Sequence, residues 1–316
     1  MHLEPVHPTT IIRAPRLSEK LGAHIVLASE TFQRTGSFKF RAAYHLVSHI
    51  ENAQIIAASS GNFGQAIACA CSLVGKSSIV VMPKTSAAVK VAAVRAFGGQ
   101  VEFVDVNAKS RSERVEELAK VYPDAYIASA YDDPLIIEGN SSLGYEIANL
   151  GYPIDEIVVP IGGGGLASGI ITGVSRAGKE IAVTGAEPLQ GNDASLSLQA
   201  GRLISNDREP QTIADGARTI SLGQRNWDIL RGGLKRIVEV PEEMIIEAVR
   251  LLFELANLKA EPTAALSVAA LLTSPDLFRE KLICCVISGG NVDPAVYAQL
   301  ILATPQICRM DALFRK

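Results

Sequence analysis

The 316-residue sequence predicts a two-lobed α/β protein in which parallel-rich sheets are flanked by helices. Short apolar segments alternate with helical ones in units too short for anything but βαβ crossovers, which indicates parallel strands. Several of the apolar segments lead through a glycine- or serine-rich loop into a helix. The chain is also longer than one ordinary domain, and 48% of its residues are hydrophobic against 20% charged. This composition is sufficient for a large buried core.

The predicted strands are short apolar runs that end in polar or glycine-containing turns. They cover residues 24–28, 54–59, 78–82, 101–106, 126–130, 157–161, 181–185, 236–240 and 281–287. The predicted helices show apolar residues at helical spacing or small-residue runs that follow a loop. They cover residues 66–73, 89–97, 110–122, 134–150, 166–174, 195–200, 241–255 and 264–272, and a further helix begins near residue 38. Residues 3–15 carry three prolines and are predicted to be extended, and residues 202–225 to be irregular.

Composition excludes several classes of function. The net charge of −3 offers no basic field for nucleic acid. No apolar run approaches the roughly 20 residues that span a bilayer, and residues 1–20 contain no continuous apolar region of the signal-peptide type. The five cysteines form no CxxC pair or metal-binding spacing, and their odd number argues against a disulfide framework. We therefore expect a cytoplasmic protein with buried cysteines that binds neither nucleic acid nor membrane.

Four consecutive glycines, Gly162, Gly163, Gly164 and Gly165, stand between a predicted buried strand and an apolar helix. Glycine lets the backbone adopt positive φ and approach a ligand closely. A junction of this kind also directs free N–H groups, at the positive end of the helix dipole, towards one point. The pattern favours an anion site, most naturally for phosphate. The alternative is a tight turn, for which one or two glycines would suffice.

Lys39 stands at the start of a predicted helix, after Gly36 and Ser37, and Ser37 is a good N-cap residue. A cation in the first turn is disfavoured by the helix dipole. Lys39 is therefore either solvated or made less basic by its surroundings, and the local sequence leaves both alternatives open. A second strand–polar loop–helix junction, residues 59–65, presents donors suited to a carboxylate.

These features together indicate a cofactor pocket at strand ends. The GxxxxGK[ST] motif is absent and the glycine run lacks the spaced dinucleotide fingerprint, so ATP and NAD are poor candidates. A cofactor that needs one phosphate site and one lysine is pyridoxal phosphate, which binds lysine through a Schiff base.

From Glu30 to Asp293 the chain resembles fold-type II pyridoxal-phosphate enzymes of the threonine/serine dehydratase and serine racemase family. The matching motifs, besides the four glycines, are Thr35-Gly36-Ser37-Phe38-Lys39, Ser59-Ser60-Gly61-Asn62, Ala214-Asp215-Gly216, Glu261-Pro262-Thr263 and Ser288-Gly289-Gly290-Asn291-Val292-Asp293.

The resemblance implies a cofactor-binding role for each matching residue. Lys39 holds the aldehyde of pyridoxal phosphate and then serves as the catalytic base. Phe38 flanks the ring, Asn62 binds its phenolic oxygen, and the residues Gly162 to Gly165 hold the phosphate. Ser288 faces the pyridine nitrogen, and a neutral hydroxyl there weakens the ring as an electron sink.

The resemblance also implies a substrate site and a metal site. Ser59, Ser60, Gly61 and Asn62 receive the substrate carboxylate, and Ser60 occupies the position of the second proton carrier in racemase-like relatives. Glu187, Gly191 (through its carbonyl) and Asp193 keep the spacing at which such relatives bind Mg²⁺ or Ca²⁺, ions that prefer oxygen ligands. From spacing alone, a glutamate and an aspartate in a loop are usually just solvated.

The family implies a division into a large cofactor-binding lobe, residues 1–47 and 138–316, and a small substrate-side lobe, residues 48–137. It further implies a homodimer that acts on a small amino acid. We expect dehydration and deamination of a β-hydroxy amino acid of the threonine or serine type to a 2-oxo acid and ammonia. The alternatives are racemisation of serine or a related amino acid, and a hydroxyaspartate-type dehydratase. Phe63 departs from the histidine of many relatives, which leaves the substrate open.

Overall fold

The structure is a computed structural model that describes residues 5–59, 61–86 and 88–302. The strands in these ranges are β1 (Thr10–Arg13), β2 (His24–Ser29), β3 (Gln54–Ala58), β4 (Ser77–Pro83), β5 (Gln100–Val104), β6 (Tyr126–Ala128), β7 (Glu156–Pro160), β8 (Ala182–Pro188), β9 (Arg236–Val240) and β10 (Leu282–Ile287).

The α-helices in the same ranges are α1 (Pro15–Leu21), α2 (Lys39–His49), α3 (Asn62–Leu73), α4 (Ala88–Ala96), α5 (Arg111–Val121), α6 (Pro134–Ala148), α7 (Gly165–Arg176), α8 (Asp193–Ala200), α9 (Gln224–Gly233), α10 (Glu242–Ala256), α11 (Pro262–Thr273) and α12 (Pro294–Leu302). The predicted α/β class, with parallel-rich sheets flanked by helices, is confirmed.

The larger sheet has six strands in the order β1-β2-β10-β7-β8-β9. Neighbouring strands are parallel except β1 and β2, which form an antiparallel pair at one edge. The last five residues of β10 are buried, as expected for a strand that is covered on both faces. Cys284 belongs to the apolar cluster that includes α6, α7 and α9, whereas Cys285 belongs to the one that includes α10 and α11. The two helical layers therefore enclose this sheet.

The smaller sheet has four parallel strands in the order β5-β4-β3-β6. Helix α5 packs on one face through Val115 and Leu118, and α2 and α3 pack against the other face around Phe63. All four strands lie between residues 54 and 128. The exact division into lobes at residues 47/48 and 137/138 stays a prediction.

One local prediction is wrong, and three α-helices of the described residues were not predicted. Ser37 does not cap α2: Phe38 occupies the N-cap position without a side-chain bond, while Ser37 forms an isolated β-bridge with Gly289. Pairing with the loop after β10 thus prevails over the local capping preference. The helices without a predicted counterpart are α12, α9 and α1, and in α1 Leu17 is the only buried residue. Such a short helix gives no periodic apolar signal.

The cysteine prediction is confirmed for the described residues. Cys69, Cys71, Cys284 and Cys285 are free and buried, and burial raises the pKa of the thiols of Cys71 and Cys284 to about 12. Cys308 lies outside the described residues. Within the same part of the chain, no helix has both the length and the apolar character needed to cross a membrane.

Candidate active site

A cavity of about 840 Å³ lies where the two sheets present the carboxyl ends of β3, β4, β6, β7 and β10. In parallel α/β folds this edge is the usual place for a ligand. The cavity is lined by most of the residues that the sequence analysis assigned to cofactor and substrate, namely Phe38, Lys39, Ser59, Gly61, Asn62, Gly162, Gly163, Gly164, Gly165 and Ser288. Ser60 lies outside the described residues.

Lys39 is the first residue of α2 and reaches into the cavity. Its Nζ donates a hydrogen bond to the carbonyl oxygen of Ala130 at 2.6 Å, and lies 5.0 Å from the ring centre of Phe38 and 5.6 Å from that of Phe63. Burial lowers the pKa of Lys39 to about 8, while the nearby carboxyl of Glu261 opposes this shift. Of the two alternatives that the sequence left open, the structure favours the less basic lysine.

A buried ion pair fixes the helix that carries Lys39. Two residues further along α2, the Arg41 Nε lies 2.7 Å from Glu30 Oε2, and both side chains are at most 1% exposed. The Arg41 Nη1 also lies 2.6 Å from Glu146 Oε1 on α6. Breaking a buried pair of this kind leaves an uncompensated charge, so these contacts hold the start of α2 in place.

The four glycines form the turn between β7 and α7, with Gly164 at a φ of +94°. A Cβ on Gly163 would lie 2.3 Å from the ring of Tyr131, and one on Gly162 would lie 2.9 Å from the carbonyl oxygen of Gly216. The amides of Gly162, Gly163 and Gly164 donate no hydrogen bond to another described residue. Free amides at a helix N-terminus, in a turn that has no room for side chains, fit a bound phosphate.

Asn62 opens α3 and connects two parts of the chain that lie far apart in sequence. Its Nδ2 donates to Glu261 Oε1 at 2.8 Å, and its Oδ1 accepts from Asn291 Nδ2, also at 2.8 Å. Glu261 is 4% exposed, and burial raises its pKa to about 8. Glu261 and Asn291 belong to the matching motifs, but neither was predicted as a site residue.

Ser288 follows β10 at the cavity wall and is 2% exposed. Its carbonyl oxygen accepts the amide of Phe38 at 2.9 Å, so the loop after β10 and the lysine segment hold each other. In another part of the cavity wall, the Oγ of Ser59 accepts the amide of Gly61 at 3.2 Å. This bond shapes the loop that leads from β3 into α3.

The three residues predicted to bind a metal ion lie outside this cavity: Glu187 near the end of β8, Gly191 in the turn that follows, and Asp193 at the start of α8. Glu187 and Asp193 are 2% and 1% exposed, respectively. The Glu187 carboxylate accepts the amides of Ala194 and Ser195, each at 3.0 Å, whereas Asp193 Oδ2 has no hydrogen-bond partner among the described residues. Burial raises the pKa of Asp193 to about 7, and burial together with Asp193 raises that of Glu187. Two buried carboxyls, one with an unpartnered oxygen, fit a hard cation.

Several cavity residues had no signal of their own in the sequence. Tyr131 packs over Gly163. The cations Lys90 and Arg111 reach the cavity from α4 and α5, and Arg218 reaches it from the irregular segment before α9. Charged residues in loops and on helix surfaces are usually solvated, and only the tertiary structure shows that these three face a common space.

Comparison with known proteins finds relatives over nearly the whole chain. The family model described as pyridoxal-phosphate dependent enzyme matches residues 3–289. The chain is similar to an L-threo-3-hydroxyaspartate ammonia-lyase of Pseudomonas sp, with 35% identity over 93% of this chain and 92% of the relative. It is also similar to serine racemase of Homo sapiens, with 33% identity over 92% of this chain and 88% of the relative.

Among solved structures, a threonine deaminase from T.th. has 36% sequence identity and a TM-score of 0.86, and the match covers 91% of this chain and 94% of that one. Maize serine racemase has a TM-score of 0.88 at 28% identity, with 93% and 91% covered. These findings confirm the resemblance seen in the sequence motifs. The chain therefore belongs to the pyridoxal-phosphate-dependent enzymes of fold type II, together with threonine deaminase, serine racemase and hydroxyaspartate ammonia-lyase.

Proposed function

We propose that this protein is an ammonia-lyase that binds pyridoxal phosphate in the cavity and eliminates water from a β-hydroxy amino acid. Hydrolysis of the resulting enamine takes up one water and releases ammonia, so the net products are a 2-oxo acid and ammonia. The observation that carries the proposal is the placement of Lys39, a lysine of lowered pKa, in the same cavity as the glycine turn. When bound, pyridoxal phosphate supplies an electron sink next to the substrate α-carbon.

The proposed roles of the residues follow from their positions. Lys39, with a pKa of about 8, is partly neutral near pH 7.5, so its Nζ accepts the α-proton of the substrate. Gly162 to Gly165 hold the phosphate. Phe38 and Asn62 position the ring, and the neutral hydroxyl of Ser288 is the partner of the pyridine nitrogen. Ser59, Ser60, Gly61 and Asn62 hold the substrate carboxylate.

We also propose that Glu187, the carbonyl of Gly191 and Asp193 bind Mg²⁺ or Ca²⁺. The buried, unpartnered Oδ2 of Asp193 and the proximity of Glu187 support this site. A bound cation relieves the repulsion between the two carboxylates. It also stabilises the start of α8, which contains Asp193 and donates two amides to Glu187 of β8. The division into lobes, the homodimer and the cytoplasmic location stay predictions from the sequence.

The substrate is proposed at the level of its class. The similarity to the T.th. threonine deaminase and to the Pseudomonas hydroxyaspartate ammonia-lyase supports elimination from threonine, serine or hydroxyaspartate. Racemisation is the alternative, because serine racemase is about equally similar. It needs a proton carrier on the face opposite Lys39, since a single base returns the proton to the side from which it came. Ser60 is the residue proposed for that role.

The experiment is an assay of 2-oxo acid and ammonia release from serine, threonine and hydroxyaspartate, combined with borohydride reduction of the holoenzyme and peptide mapping. We expect release from at least one substrate and covalent cofactor on the peptide that contains Lys39. Lys39→Ala should abolish release, whereas Lys120→Ala, at an exposed position on α5, should not. Labelling of a different lysine, or full activity of Lys39→Ala, would show that the assignment is wrong.

A further inference from the structure

The charged side chains of the cavity wall are not balanced. The cations are Lys39, Lys90, Arg111 and Arg218, and the carboxyls are Glu209, Asp215 and Glu261. Lys90 Nζ lies 2.6 Å from Asp215 Oδ2, and the Arg111 Nη2 lies 3.8 Å from Glu209 Oε2. The Glu261 carboxyl lies near Lys39 and accepts a hydrogen bond from Asn62 Nδ2 at 2.8 Å. Apart from Lys39, the cation of this wall with no carboxylate of a described residue within 4 Å is Arg218.

Arg218 is held in a defined orientation by backbone contacts and forms no direct ion pair with a described residue. Its Nε and Nη2 donate to the carbonyl oxygen of Thr212 at 2.8 and 2.6 Å. No carboxylate oxygen of a described residue lies within 4 Å of the guanidinium. Glu242 is near enough to respond to its charge; one oxygen of that carboxyl accepts the amide of Ile213 at 2.8 Å, and the other has no hydrogen-bond partner among the described residues. A guanidinium has five N–H donors, so Arg218 keeps donors for a ligand.

The segment that carries Arg218 is fixed to the cofactor side of the cavity. The amide of Gly216 donates to Thr263 Oγ1 at 2.9 Å, and the Gly216 carbonyl packs against Gly162. Ala217, directly before Arg218, is 2% exposed. Directly after it, Thr219 lines the cavity with a buried Oγ1 that has no hydrogen-bond partner among the described residues. A cation and a hydroxyl at consecutive positions, both with unused donors, thus line the same cavity.

We propose that Arg218 binds a second carboxylate of the substrate, so that the preferred substrate is a β-hydroxy amino acid with two carboxylates, of the hydroxyaspartate type. This inference rests on the proposed function. The first carboxylate belongs to the loop between β3 and α3, in a different part of the cavity wall. A planar guanidinium pairs with a carboxylate through two parallel hydrogen bonds. Serine and threonine lack that group, and they leave Arg218 without a charged partner.

The test compares kcat/KM for L-threo-3-hydroxyaspartate and for L-serine in the holoenzyme and in Arg218→Met. We expect the wild type to prefer hydroxyaspartate and the variant to lose about 30-fold or more of that preference, the loss typical for a charged hydrogen-bonded contact. Arg218→Lys keeps the positive charge but lacks the paired N–H donors of the guanidinium, and should retain part of the preference for hydroxyaspartate. The matched control is Arg208→Met, at an exposed position of the same irregular segment that does not line the cavity, and it should keep the wild-type preference.

A binding experiment separates this inference from the proposed function. Succinate and butyrate have the same carbon chain and differ in one carboxylate, and calorimetry measures their binding to the holoenzyme without turnover. We expect succinate to bind the wild type at least about tenfold more tightly than butyrate, a difference that Arg218→Met abolishes.

The outcomes are distinguishable. A wild type that turns over serine as well as hydroxyaspartate would overturn the inference and leave the proposed function intact. If no β-hydroxy amino acid is turned over, the proposed function is wrong, and equal binding of succinate and butyrate would then overturn the role of Arg218 as well. A variant with weaker pyridoxal-phosphate affinity but an unchanged substrate preference would also overturn it, because Arg218 would then serve the cofactor phosphate.

Discussion

The lowered pKa of Lys39 has a direct consequence for the reactivity of its amine in the cofactor-free protein. Burial lowers the pKa from 10.5 to about 8. At pH 7.5 an amine of pKa 10.5 is neutral in about 0.1% of molecules, whereas one of pKa 8 is neutral in roughly a quarter. Only the neutral amine is a nucleophile or a base. Lys39 should therefore offer on the order of 200-fold more reactive amine than an unshifted lysine at this pH.

The assay is competitive labelling of the cofactor-free protein with trace acetic anhydride between pH 6 and 11, read by mass spectrometry of the lysine peptides. Lys120, which is exposed on α5, serves as the internal reference for the reagent. We expect the labelling of Lys39 to rise with a midpoint near pH 8. A midpoint at or above pH 10 in folded protein would refute the reasoning, because the lysine would then be solvated.

The same assay tests the influence of Glu261. The carboxylate of Glu261 raises the pKa of Lys39. Burial raises the pKa of Glu261 itself to about 8, so its influence on Lys39 grows as the pH rises through about 8. Glu261→Gln removes the charge and should move the labelling midpoint of Lys39 to lower pH. A midpoint that moves to higher pH would contradict the electrostatic explanation.

Three further predictions concern the glycine turn, the metal site and the racemase alternative. Gly163→Ala places a Cβ 2.3 Å from the Tyr131 ring and should weaken pyridoxal-phosphate binding about tenfold or more, as measured by absorbance titration. The control is Gly232→Ala, which has open space around the new Cβ. Equal affinities of the two variants would count against the phosphate site. Chelation should lower the melting temperature and the activity of the wild type, and Mg²⁺ or Ca²⁺ should restore both, because the ion binds only the folded state. Asp193→Ala should lose this response. An unchanged melting temperature of demonstrably metal-free wild type would exclude the site. Ser60→Ala should abolish D-isomer formation in chiral chromatography while most elimination of the L-substrate persists, and a proportional loss of both would make Ser60 a binding residue only.

Much of the architecture was predictable because its signals are local. The apolar run over residues 281–287 is the central strand β10, and Lys39 does lie in the first turn of a helix. The glycine run does connect a buried strand to a helix. In each case the chain's own chemistry over a few residues, apolar patterning or the freedom of glycine at positive φ, determines the local structure.

The sequence by itself therefore determined the fold class, the family and the segments that form the site. Only the tertiary structure decided which distant residues contact each other in the site and how basic or charged its side chains are. Asn62 meets Glu261, which lies 199 positions further along the chain, and no local pattern specifies such a contact. Ser37 pairs with Gly289 instead of capping its helix. The basicity of Lys39 and the unbalanced charge of Arg218 depend on burial and on which carboxylates lie nearby. These are properties of the three-dimensional environment, because a charge responds to the solvent and the charges around it, whatever their distance along the chain.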